Sequence, residues 1–271
     1  MFEALLRHWP EYGMEAALLG GFMVSACLFG TLLEHPGAIG RRAIGGPVAR
    51  RAIMGLAMGL TAVVLIYSPW GQRSGAHMNP ATTLTFFVQG KVARWDALFY
   101  VIAQFLGGTA GVVIAWLLLR DRLRHESVNF VVTTPGRRGA TAAWAAEWAI
   151  SFGMMFTVLY AGNDPAMAPY TGWLAGGLLA LYILIEAPLS GMSLNPARTF
   201  GSAVAARQWR AFWVYLTAPA AGMLLASAAY ATSPVGGRVY CAKLDHCNGR
   251  RCIFKCEFER LRPPPEHGDV P

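Results

Sequence analysis

The sequence predicts an all-α membrane protein of six transmembrane helices plus two re-entrant half-helices, arranged as an inverted repeat of three spans and three spans. Three observations predict it. The chain of 271 residues is 55% hydrophobic and 14% charged, whereas soluble domains carry about 25% charged residues. Its apolar residues gather in six blocks, each long enough to cross a hydrocarbon core about 30 Å thick. Finally, one short motif occurs twice, each time between two of the blocks.

The blocks fall at 12–33, 52–69, 96–119, 142–162, 171–189 and 211–231. The first is too long and too glycine-rich for a secretory leader and has no small-residue cleavage site, so it reads as a span. One such block could be a helix buried in a soluble core. Six in a chain of this length would leave no polar layer to cover them. The net charge of +8 lies in the connections, with no basic stripe interleaved with aromatics, which argues against nucleic acid. Orientation does not follow from the Lys/Arg excess. The side holding both ends carries eleven of the 23 basic residues and the other side twelve.

The repeated segments are Ser74-Gly75-Ala76-His77-Met78-Asn79-Pro80-Ala81-Thr82 and Ser190-Gly191-Met192-Ser193-Leu194-Asn195-Pro196-Ala197-Arg198-Thr199, their asparagines 116 residues apart. Each copy lies between the second and third span of its half, and an odd number of spans per half inverts the second copy. Asn is a strong N-cap, and Pro favours the first helical turn. The helices predicted after Asn79 (to about Gln89) and after Asn195 (to about Ala206) are too short to span. The Ser-Gly backbone before each is tolerated in a bilayer only where protein or a water-filled path surrounds it. Inversion brings the two half-helices to the midplane from opposite faces. A lone Asn-Pro-Ala reads as an ordinary capped helix; two copies in matching places do not.

These two Asn-Pro-Ala boxes, the second extended to Arg198, resemble the signature of the aquaporin (major intrinsic protein) family, and the similarity covers residues from about 12 to 231. The resemblance implies a channel domain at 12–231, with repeat one at about 12–119 and repeat two at about 142–231. It is flanked by an N-terminal tail at 1–11 and a basic Cys/His-rich tail at 232–271. It further implies a multi-pass cell-membrane protein with cytoplasmic termini, a homotetramer in the lipid bilayer, and a passive channel for water, with small uncharged solutes as further cargo. A glycerol or small-neutral-solute facilitator with minor water flux is the alternative reading, and a structural junction-type membrane protein a weaker one.

The residues suit that activity on physical grounds. Two facing helix N-termini place roughly half a positive charge each at the midplane, a barrier to cations including hydronium. The amides of Asn79 and Asn195 can orient a passing water and interrupt the hydrogen-bonded chain along which protons hop. The non-helical backbone of Gly75, Ala76 and His77, and of Gly191, Met192, Ser193 and Leu194, is expected to line the path with carbonyl acceptors. Arg198, costly in lipid unless it faces a cavity or partner, is a functional candidate by default. Carried over from the family, the constriction around Arg198 takes in Met192, Ile183 and a residue of the second span. The Gly59-Leu60-Thr61 context points to Met58 for that residue, counting back from Asn79 points to Gly59, and Met58 is preferred. Water channels of the family usually carry an aromatic and a His at two of these positions, so a ring of Met58, Ile183 and Met192 departs from them. Thr199 and Ala203 resemble the water type, Leu216 the glycerol type.

Glu15 and Glu147, one in the first span of each half, are expected to accept loop N–H groups as in the family. A proton relay needs several titratable groups in series, and only one embedded carboxylate is visible per half. His77 is open to two readings, a vestibule group or a satisfied packing histidine. The pairs Gly107-Gly108 and Gly176-Gly177 read as close helix packing. In the tail, Cys241, His246, Cys247, Cys252 and Cys256 fall within 16 residues. The spacing is compatible with a Cys3His zinc set of Cys241, His246, Cys252 and Cys256, with reduced thiols, or with disulfides. The segment from Pro263 onward is expected to be disordered. No cofactor is required, and no nucleophile–base pair within the spans suggests an enzyme.

Overall fold

The computed structural model describes residues 1–234 and 236–261; the end of the chain from Pro263, expected to be disordered, lies outside them. Eleven α-helices and no strand occur among these residues. They are α1 (Phe2–Glu34), α2 (Ile39–Ala43), α3 (Pro47–Tyr67), α4 (Pro69–Ser74), α5 (Pro80–Val88), α6 (Arg94–Leu119), α7 (Asp121–Arg124), α8 (Gly139–Gly162), α9 (Thr171–Ser190), α10 (Pro196–Ala206) and α11 (Phe212–Thr232). Six of them, α1, α3, α6, α8, α9 and α11, are long and apolar enough to cross a membrane. These are the six expected blocks. The half-helices α5 and α10 begin at the prolines after Asn79 and Asn195.

The packing repeats the sequence symmetry. Helix α1 lies along α6, α8 lies along α11, and α3 pairs with α9 across the two halves. Glycine makes the closest approaches. A Cβ on Gly107 would stand 2.1 Å from the Ala16 carbonyl oxygen, and one on Gly176 would stand 2.5 Å from Val63. Gly108 also faces a neighbour, the Ala197 carbonyl at 3.1 Å, but Gly177 meets nothing within 4 Å. The expected packing role of Gly177 is therefore corrected: it lies on the outer face of α9. The outer faces of the spans carry exposed Leu, Ile and Val, such as Leu56, Leu60 and Val64 on α3, as a surface solvated by lipid requires.

One sequence boundary differs, and the tail is packed on the channel. Residues 2–11 are not a tail, because α1 begins at Phe2 and runs through Pro10. Long-range contacts hold those first turns: His8 Nδ1 and the Tyr12 hydroxyl both meet Asp96 Oδ1 of α6, at 2.8 and 2.6 Å. Nor is the Cys/His-rich segment a loose appendage. Residues 236–261 fold back with no helix beyond a 3₁₀ turn at Phe258–Leu261. Val239, Ala242, Leu244, Phe254 and Phe258 join the same buried cluster as Phe86 and Tyr100.

Candidate functional site

Each repeated segment follows a helix that ends on a left-handed glycine, Gly75 (φ +95°) after α4 and Gly191 (φ +83°) after α9. The trace then passes through two further left-handed residues in each copy, Ala76 and Met78, and Met192 and Leu194. A non-glycine residue in that region costs of order 1–3 kcal/mol and persists only where its surroundings over-determine it. The surroundings here are buried carboxylates. Glu15 accepts hydrogen bonds from Ser74 Oγ (2.8 Å), His77 N (3.1 Å), Met78 N (2.7 Å) and Gln104 Nε2 (2.9 Å). Glu147 accepts from Ser190 Oγ and from the backbone N–H groups of Ser193 and Leu194, both at 2.7 Å. In each half a tyrosine hydroxyl, Tyr100 or Tyr215, donates to the carbonyl of Ser74 or Ser190.

The two asparagines cap their half-helices. Asn79 Oδ1 accepts from Ala81 N (2.9 Å); Asn195 Oδ1 accepts from Ala197 N (3.0 Å) and Arg198 N (3.2 Å). Each amide also crosses to the other copy. Asn79 Nδ2 donates to the Leu194 carbonyl (2.8 Å), and Asn195 Nδ2 donates to the Met78 carbonyl (2.6 Å). The opposed N-termini are thereby clasped together. An amide nitrogen carries two N–H donors, so each asparagine keeps one beyond its crossing bond.

Asn79 and Asn195 line one cavity of about 120 Å³ together with Ala76, His77, Met78, Ser193, Leu194 and Arg198. A second cavity of about 200 Å³ is lined by Met58, Ile183, Met192, Gly191, Ser193 and Arg198, with Arg50, Arg51 and Glu34 at its outer end. Phe22, Leu179, Ser193 and Arg198 border both, so the two cavities lie in series. All four residues expected at the constriction are thus brought together. Gly59 instead faces α9, where a Cβ would stand 2.5 Å from the Gly176 carbonyl oxygen. Arg198 is half-buried, and its inaccessible Nη1 has no hydrogen-bond partner among the described residues.

Two expectations change, at Gly75 and in the number of embedded carboxylates. Gly75 does not border the cavity; its carbonyl accepts the Leu244 N–H of the tail at 3.1 Å. His77 meets both of its readings, bordering the cavity while fully satisfied. Its Nε2 contacts the Ala242 carbonyl at 2.7 Å and its Nδ1 the Thr83 hydroxyl at 3.0 Å, the ring lying between Phe86 and Phe254. The count of one embedded carboxylate per half also fails, since Glu186 in α9 and Glu11 in α1 are buried as well. Glu11 pairs with Arg73 at 2.9 Å. Phe22, Leu179 and Gln104 escaped sequence reasoning, because an apolar or amide side chain within a span gives no local sign of the wall it faces.

The tail brings Cys241, His246, Cys252 and Cys256 into one cluster whose ligand atoms all lie within 4.8 Å of one another. The Cys241 and Cys252 sulfurs are 3.6 Å apart and Cys256 Sγ lies 2.9 Å from His246 Nε2. A disulfide would need about 2.05 Å between sulfurs. Ligands on a tetrahedral zinc, with Zn–S about 2.3 Å, stand about 3.8 Å apart. Cys256 also receives the backbone N–H of Phe258, two positions on, at 3.5 Å, the arrangement by which an outer shell supports a bound thiolate. The Cys241 thiol, 3.6 Å away, holds Cys252 below the ordinary thiol range. Nearby, Glu257 bridges Lys91, Arg238 and Arg260, and the Lys91 hydrogen bond holds its carboxyl below the usual carboxylate range.

Comparison with known proteins agrees with this geometry. Residues 14–230 match the family model described as Major intrinsic protein. Among curated relatives, the chain is 36% identical over 176 residues to aquaporin NIP1-4 of Oryza sativa subsp. japonica, covering 65% of this chain and 62% of that protein. It is 37% identical over 173 residues to aquaporin NIP6-1 of Arabidopsis thaliana, covering 64% and 54%. The matches thus span somewhat more than half the length of these relatives. The X-ray structure of the aquaglyceroporin from Plasmodium falciparum superposes with a TM-score of 0.68 at 19% identity, covering 83% of this chain and 96% of that one, a likeness of fold. With the duplicated half-helices, their clasped asparagines and the family match over most of its length, the chain belongs to the major intrinsic protein family.

Proposed function

We propose that this protein is a passive transmembrane channel that conducts water and small uncharged solutes and excludes protons and ions. The observation that carries the proposal is the pair of crossed amides, Asn79 to Leu194 and Asn195 to Met78, at opposed helix N-termini bordering one cavity. The crossing bonds hold both amides in fixed orientation. The second donor of each is left for the oxygen of a passing molecule. The positive ends of α5 and α10, with the half-buried charge of Arg198 further along, oppose any cation. The relatives that carry the name aquaporin support the same reading.

The ring of Met58, Ile183, Met192 and Arg198 favours a mixed cargo. It offers one strong donor against three apolar walls. A small polyol can place a hydroxyl on Arg198 and its carbons against the adaptable methionines, whereas water gains only the donor. The channel is read as a homotetramer in a cell membrane with both termini cytoplasmic. Stopped-flow light scattering on proteoliposomes tests the function: osmotic water flux and glycerol flux should both exceed those of empty vesicles. Flux of neither above the empty-vesicle rate, with residues 236–261 in place or released, refutes it.

A further inference from the structure

We propose that residues 236–261 form a zinc-held cap on one mouth of the pore, with Cys241, His246, Cys252 and Cys256 as the ligands and the segment from Ala242 to Leu244 as the plug. The inference rests on the channel reading above and adds to it a ligand and a means of control.

Four ligand atoms of the types zinc prefers converge within 4.8 Å from four positions of one short segment, and the Cys256 sulfur also accepts the Phe258 backbone N–H. The segment lacks the means to hold this shape alone. It has a single short 3₁₀ turn, and a piece of this size cannot bury enough apolar surface without a staple or a partner. A bound metal supplies that staple in small domains.

The folded tail sits against the first repeated loop. Leu244 borders the same cavity as Asn79 and Asn195. Its backbone N–H takes the Gly75 carbonyl, and the neighbouring Ala242 carbonyl takes His77 Nε2. Two polar groups at the pore mouth that would otherwise serve passing molecules are thereby occupied by the tail. Phe254 lies flat on His77, with ring centroids 5.2 Å apart and planes 8° apart, and meets the edge of Tyr100. Plug and staple are continuous: Ala242 follows ligand Cys241 directly, and Phe254 lies between ligands Cys252 and Cys256. Losing the metal frees both ends of the plug together.

The test uses the full-length protein, purified under reductant and without chelator, then reconstituted in liposomes. Metal analysis should find about one zinc per chain, and water flux by stopped-flow should rise several-fold when a membrane-permeant zinc chelator strips it. Restoring zinc should reverse the rise. The Cys252→Ser, Cys256→Ser double variant should bind no zinc and conduct like the stripped protein. Leu244→Gly, which leaves the ligands untouched, is tested beside it and should keep its zinc and still conduct fast. Zinc absent from the wild-type protein overturns the metal site. Zinc present with equal flux before and after stripping overturns the cap while leaving the channel reading intact. Flux no greater than in empty vesicles in every state overturns the channel reading, and the cap with it.

Discussion

The two halves of the molecule share a skeleton and differ in what fills it. Both hold their loop on a buried glutamate, Glu15 or Glu147, pin it with a tyrosine on the carbonyl of Ser74 or Ser190, and cap a half-helix with Asn79 or Asn195. A threonine, Thr83 or Thr199, then bonds the residue two before the asparagine, which is His77 in one half and Ser193 in the other. The first half adds Gln104 as a fourth donor to its glutamate, whereas four residues after Tyr215 stands Pro219. The first loop is sealed by the tail; the second opens on a cavity bordered by Arg50, Arg51 and Glu34. The shared residues fix the backbone. The differing ones decide what each mouth admits, so the symmetry belongs to the scaffold and the selectivity to the departures from it.

The largest effect should come from removing either glutamate. Glu15→Ala and Glu147→Ala each orphan two backbone N–H groups in left-handed loops, at about 1–3 kcal/mol per unsatisfied buried donor. Thermal unfolding in detergent should show both variants strongly destabilised. If one tolerates the change, the halves are not equivalent in their supports. Arg198→Ala has no counterpart in the first half, where Thr82 stands at that place. This variant should dissipate a pH gradient in liposomes faster than the wild-type protein, because the fixed positive charge of the second half is gone. Wild-type liposomes that leak protons faster than empty ones would falsify the exclusion mechanism altogether.

A smaller effect is expected at the ring. Replacing Met58 by Phe and Ile183 by His together should raise the water-to-glycerol flux ratio, since an aromatic narrows the path and a second polar group serves water. An unchanged ratio means that these residues do not set selectivity. The smallest effect should fall on the rim of the tail. Lys91→Ala removes one partner of a partly exposed cluster around Glu257, and such pairs contribute little and are screened by salt. Hydrogen exchange over residues 236–261 should speed up slightly at low ionic strength and not at all at high. A large acceleration would show that the ion pairs, rather than the metal, hold the tail in place.

What the sequence determined by itself is local or repeated. Six apolar runs of bilayer length, two Asn-Pro helix starts and Ser-Gly turns ahead of them each act within a few residues, so their pattern survives in one dimension. The position of Arg198 three residues after Asn195, and of one glutamate in the first span of each half, could be read for the same reason. What only the tertiary structure decided depends on contacts between distant residues. Whether Met58 or Gly59 faces the path is set by the rotation of α3 against α9, which close packing at Gly176 fixes. The first turns of α1 exist because Asp96 holds them. That the tail occupies Gly75 and His77 follows from hydrogen bonds made across more than half the chain. Helix length and capping are written in sequence because neighbours enforce them; the facing of a side chain and the seat of an irregular segment are not, because only the packed whole supplies their partners.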